Sequence, residues 1–150
     1  MNHGWDLIRK ILPLRMAIIK ESLAIQQERD LVYCRNRVKE VAGKIGMGIV
    51  NQTKLITATS EIARNMLTYA GGGMVRIEVI TRGKLEGVQL TFEDKGPGIA
   101  DIEKAMQDGF TTGRTLGMGL PGAKRLVNEF AIQSMLGNGT TVKILKWKNG

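Results

Sequence analysis

Cysteine and histidine are almost missing from this chain of 150 residues, which carries one of each, Cys34 and His3. One cysteine excludes an internal disulfide and a thiolate metal cluster. One histidine, close to the amino terminus, excludes histidine zinc sites, Ser-His-Asp catalysis and a histidine phosphoacceptor in the body of the chain. Cys34 falls in a helical pattern and reads as a packed, inert thiol, so a reducing, cytoplasmic compartment is expected. Aromatic residues make up only 5% of the chain, too few for the stacking platforms of a single-strand binder. Long apolar runs are lacking too. Met1 to Lys20 is apolar and basic, but Arg9, Lys10 and Arg15 interrupt it and Pro13 sits in its middle. It is no membrane span and has no small-residue cleavage site, so no stable membrane association is expected. Residues 1–20 read as an amino-terminal extension, packed locally, helical at a surface or disordered, ahead of one domain over 21–150.

Positive charge and glycine are what the chain has in excess. The formal charge of +8 suits an acidic partner. The basic residues are spread along the chain rather than clustered, so nucleic acid is not the expected partner. The 19 glycines, roughly twice the average share, gather at Gly71–Gly73, Gly96–Gly98, Gly113–Gly122 and Gly137–Gly139. Clustering of this kind marks tight turns and close backbone approach.

Periodicity orders the elements. Met16 to Gln26 is β-like. Leu31, Val32, Cys34, Val38, Val41, Ala42 and Ile45 recur at helical spacing until Gly46, and a second helix runs from about Asn51 to Ala70 before Gly71. Met74–Arg82 and Gly87–Asp94 form a hairpin around Gly83–Glu86. A polar stretch with a short helical piece, DIEKAMQDG, leads to a helix predicted over Pro121–Phe130. AIQSML and TTVKILKW form a last hairpin turned by Gly137-Asn138-Gly139. This order predicts an α+β fold, a two-layer sandwich with a mixed, mostly antiparallel sheet and helices on one face.

LGMGLPG contains a G-x-G-x-x-G at Gly117, Gly119 and Gly122, opening a helix, and such a loop is a ready anion site. No strand precedes it and no carboxylate lies about twenty residues on, which excludes a dinucleotide fingerprint. No Lys-Ser/Thr follows Gly122, which excludes a P-loop, and no H-R-D occurs to complete a protein-kinase glycine loop. Other features keep it company. Glu61 and Asn65 are four apart on the second helix, a carboxylate beside an amide oxygen, which suits Mg²⁺ held with phosphate oxygens and a base orienting a hydroxyl. Asp94, at a strand end before Gly96 and Gly98, suits an adenine amine. Gly137-Asn138-Gly139-Thr140 alone would be a plain turn.

Taken in order, these stretches resemble the GHKL (Bergerat-fold) ATPases shared by gyrase, Hsp90-type chaperones, histidine kinases and MutL. Glu61 and Asn65 match the N box, and Asp94, Gly96 and Gly98 the first glycine box. Gly117 and Gly119 match the second, and Gly137, Gly139 and Thr140 the third. SEIARN, DKGPGI, DGFTT, GLPGAKRLVNEF and the final KW look like switch serine kinases of the RsbT type, within the anti-sigma-factor kinase family, over roughly Ser22 to Trp147. The resemblance implies ATP and Mg²⁺ as cofactors. It also implies phosphorylation of a serine or threonine on STAS-domain proteins of a stressosome type, with a PP2C-type phosphatase as a further partner. By position, Asn65 would ligate Mg²⁺ and Glu61 would act as general base. Asp94 would take the adenine amine, helped by Gly96, Gly98 and Thr140. The backbone of Gly117, Met118, Gly119 and Leu120 would hold the phosphates beneath a lid over Ala100–Leu116. Arg114 stands where such relatives are glycine-rich. It either reaches the γ-phosphate as a second catalytic residue or points to solvent. An anti-sigma factor that binds ATP to shape a partner surface is the alternative function.

Overall fold

The computed structural model describes residues 20–107 and 119–150. Five strands form one sheet in the order β1-β2-β3-β5-β4: β1 (Lys20–Ile25), β2 (Gly73–Arg82), β3 (Leu85–Asp94), β4 (Glu129–Ser134) and β5 (Thr140–Trp147). The expected mostly antiparallel sheet is antiparallel at every pairing. Helices α1 (Glu28–Lys44), α2 (Ile49–Ala70), α3 (Ile102–Ala105) and α4 (Gly119–Leu126) complete the described chain.

The α1 sequence buries one stripe, Leu31, Cys34, Val38, Val41 and Ala42, and α2 buries Leu55, Ala58, Ile62, Ala63 and Met66. Both stripes meet the alternating inward residues of the sheet, Val75 and Ile77, Val88, Leu90 and Phe92, then Val142 and Ile144. Each large side chain buried there contributes about 1.5–3 kcal/mol, and this common apolar layer fixes α2 over the central strands. Local signals set the helix ends. Asp30 accepts from the Gln26 and Gln27 amides at 2.8 and 3.2 Å, satisfying donors that helix geometry leaves open. At the far end of α2, Gly71 is left-handed and donates to the Leu67 carbonyl, stopping the helix where the sequence places it.

The helix expected over Pro121–Phe130 is corrected. It ends at Leu126, and Glu129 already belongs to β4. Asn128 makes the corner: its amide donates to the Leu145 carbonyl and its Oδ1 accepts from the Trp147 amide. Both bonds draw the chain onto β5, so Phe130 and Ile132 alternate inward against the core instead of following a helical stripe. The strand expected from Met16 is described from Lys20, and residues 1–19 lie outside the described chain. Among the described residues, no helix is long and apolar enough to cross a membrane.

Candidate functional site

Asp94 ends β3 at one margin of the sheet, half-buried. Its Oδ1 accepts from the Gly96 amide at 2.9 Å and from the Thr140 amide at 3.2 Å. One carboxylate oxygen therefore ties the loop after β3 to the start of β5, and Oδ2 has no protein donor among the described residues. That leaves a bare acceptor at a strand end, the complement of an amine. The two loops are locked further. The Ile99 amide donates to Ser134 Oγ at 2.7 Å, and the Gly137 amide donates to the Pro97 carbonyl at 2.9 Å. Ser134 Oγ donates to the Gly139 carbonyl and lies 2.8 Å from Thr140 Oγ1.

Gly98 and Gly139 are required here by geometry. Both have positive φ, +77° and +83°, and a Cβ on either would strike backbone, the Met135 carbonyl oxygen for Gly98 and the Asp94 carbonyl oxygen for Gly139. The turn that looked like an ordinary hairpin is half of a two-loop clasp around Asp94.

The other end of the site is set by α2. Glu61 and Asn65 stand one turn apart on it, both half-buried. Glu61 Oε2 accepts from the Gly119 amide at 3.2 Å, so the carboxylate holds the first residue of α4. Behind that bond, Leu120 and Ala123 are buried in the core. The structure thus brings Glu61, Asn65, Gly119 and Leu120 together at one end, and Asp94, Gly96, Gly98 and Thr140 at the other. Arg114, Gly117 and Met118, with most of the expected lid, lie outside the described residues. Asp101 caps the short α3 by accepting from the Lys104 amide at 3.0 Å.

Residues 50–149 match the family of Histidine kinase-, DNA gyrase B-, and HSP90-like ATPases. The chain is 48% identical over 124 residues to the serine/threonine-protein kinase RsbT of Bacillus subtilis, covering 82% of this chain and 92% of that one. The chain belongs to this ATPase family, among the serine/threonine kinases of the RsbT type. It is also 33% identical over 129 residues to an anti-sigma F factor of Thermoanaerobacter sp. (strain X514), covering 82% of this chain and 89% of the relative. A Mycobacterium tuberculosis structure of RsbU and RsbW domains shares the fold, with TM-score 0.58 and 20% identity over 84% of this chain. This chain spans 32% of that longer one. The mycobacterial sensor histidine kinase MprB shares it at TM-score 0.51 and 16% identity, over 86% and 97% of the two chains.

Membership of this family implies use of ATP, and the residues present fit it. The bare Asp94 oxygen and the clasped glycine loops offer an amine acceptor at one end, and at the other the start of α4, whose Gly119 amide is held by the Glu61 carboxylate, is where an anion would take a backbone donor. No group of three or more His, Cys, Asp or Glu side chains is placed to hold a metal among the described residues. Ser134 escaped the sequence reading. Its signal is the alternation of β4: Phe130 and Ile132 face inward, and the next inward position is a hydroxyl. Cys34 is as inert as expected, since burial pushes its thiol up to about 12.

Proposed function

We propose that this chain transfers the ATP γ-phosphate to a serine or threonine of a STAS-domain protein, as a cytoplasmic kinase of a partner-switching stress pathway. Its kinase domain is residues 21–150, behind the extension at 1–20. A PP2C-type phosphatase is the further partner. The observation that supports the proposal is the bond from the Gly119 amide to Glu61, which ties a helix carboxylate to the start of α4.

In this reading Asp94 Oδ2 accepts from the adenine amine, with Gly96, Gly98 and Thr140 shaping the slot around the base. The backbone amides of Gly117, Met118, Gly119 and Leu120 bind the phosphates, that of Gly119 by exchanging the Glu61 carboxylate for a phosphate oxygen. The Asn65 amide oxygen is the protein ligand for Mg²⁺, which when bound neutralises charge on the phosphates. Glu61 accepts the proton of the incoming hydroxyl and orients its oxygen for in-line attack, a role general bases fill at about 10²–10⁴-fold. Arg114 stabilises charge on the group in transit. The test is to mix the purified protein with labelled ATP, Mg²⁺ and a STAS-domain protein of the same cell. Label on a serine or threonine of that protein is the expected result.

The likeness to anti-sigma F factors supports a second reading, in which ATP shapes a surface that sequesters a sigma factor. Absence of phosphoserine together with co-purification of a sigma factor would replace the first reading by the second.

A further inference from the structure

A concavity opens at the Glu61 end of the site. It is a cleft of about 410 Å³ between α1 and α2, lined on one wall by Arg35, Asn36 and Lys39 and on the other by Ile56 and Thr57, and it reaches Glu61. One turn past Glu61, Arg64 pairs with Glu28 at 2.9 Å and bridges the two helices at that end.

The charges along α1 are handled unequally. Arg37, on the side toward β1, is neutralised by Glu21 and Glu40 at 2.6 and 2.7 Å. Arg35 and Lys39, on the cleft side, have no carboxylate within ion-pair distance among the described residues. They stand one turn apart, about 6 Å along the helix. That is close to the rise of two residues in an extended chain, about 6.6 Å. An extended segment in the cleft would place alternate side chains opposite the two cations, with Ile56 as the apolar wall between the helices. The α1 wall carries two cations beside Asn36 and no carboxylate, and the one acid in the lining is Glu61.

We infer that the α1–α2 cleft seats an extended acidic segment of the protein substrate, next to the serine or threonine that receives the phosphate. Two carboxylates spaced two residues apart meet Arg35 and Lys39, and the acceptor hydroxyl arrives at Glu61. The inference rests on the kinase reading above and names the chemistry by which that site chooses its substrate. No residue of the Asp94 clasp lines the cleft, so in this reading substrate and nucleotide approach the carboxylate from different sides.

The test uses the full chain and the STAS-domain protein that it phosphorylates. In Arg35→Glu/Lys39→Glu, the KM for that acceptor should rise at least tenfold, while ATP affinity stays within twofold and kcat at saturating acceptor stays within about threefold. Lysines in place of the acceptor's acidic flank should restore the KM of the doubly reversed kinase. Arg35→Gln/Lys39→Gln, a milder pair, should give an intermediate KM, and ATP affinity serves as the check that both variants fold. An unchanged acceptor KM with intact ATP binding overturns the cleft and leaves the kinase reading standing. So does an acceptor stripped of its acidic flank that is phosphorylated as well as before. Where the wild-type protein transfers no phosphate, acceptor affinity measured by calorimetry with a non-hydrolysable ATP analogue takes the place of KM. Loss of that affinity in the reversed variant supports the cleft although the kinase reading has failed, and absence of wild-type binding overturns both.

Discussion

The two ends of the site are held in different ways. Around Asp94, bonds from Gly96, Thr140, Ile99 and Gly137 cross-link two loops that both leave the margin of a continuous sheet. At Glu61, a helix side chain reaches the start of α4 through the Gly119 amide, a bond from side chain to backbone rather than from loop to loop. The difference matches the chemistry proposed for each end. A flat base needs a slot formed in advance, since ordering loops on binding costs affinity. A phosphate loop must let product leave, and product release or lid opening sets kcat in many enzymes.

The widest separation between the ends should come from one substitution at each. Asp94→Asn keeps an oxygen for the Gly96 and Thr140 amides but replaces the free acceptor by a donor, so ATP affinity measured by calorimetry should fall at least a hundredfold, about 3 kcal/mol. Glu61→Ala should keep that affinity within about threefold while phosphotransfer falls roughly a hundredfold or more. If both variants lose ATP equally, the ends are not separate.

Glycine substitutions sharpen the contrast. Alanine at Gly98 or Gly139 meets carbonyl oxygen in a left-handed backbone and should cost about 3 kcal/mol or more in chemical denaturation. Gly119 is also left-handed, but among the described residues a Cβ there finds only Pro121 Cδ at 3.7 Å, so Gly119→Ala should cost about 1–2 kcal/mol. Equal losses at the three positions would mean that the clasp is no tighter than the start of α4.

A smaller effect is expected at Ser134. Removing its hydroxyl leaves the Ile99 amide without its partner, so Ser134→Ala should lower stability by about 1–2 kcal/mol and ATP affinity by roughly tenfold. Unaltered ATP binding would show that the clasp needs its backbone bonds alone.

The smallest effect concerns a region remote from both ends and serves as the control. The hydrogen bond from Arg37 holds the Glu21 carboxyl below its ordinary value of 4.5. A carboxylate lowered by folding contributes stability that is present above that ordinary value and is lost as pH falls through the lowered folded one. Glu21→Gln should therefore flatten the acid limb of the stability curve by under about 1 kcal/mol, since the pair is partly exposed, and leave ATP affinity untouched. A change in nucleotide binding would tie β1 to the site.

Much of this was legible in the sequence because it rests on short-range rules. The α1 and α2 stripes, the stop at Gly71 and the β2–β3 hairpin follow from periodicity and turn chemistry within a few residues. Glu61 and Asn65 share a helix face by spacing alone. The end of α4 was misplaced because Asn128 answers to β5, which comes later in the chain. Ser134 was missed because its partners, Ile99 and Thr140, are brought to it only by the sheet order.

By itself, the sequence determined which residues are candidates for chemistry: a carboxylate and an amide one turn apart, an aspartate ahead of glycines, and glycines where backbone passes close to backbone. Local geometry is encoded locally, so those features could be read in advance. Only the tertiary structure decided which oxygen of Asp94 is left free, that Glu61 grips the start of α4, and that Arg35 and Lys39 face a cleft while Arg37 is neutralised. Each depends on atoms far apart in the chain meeting across the sheet or between helices, and burial in the common core sets those meetings.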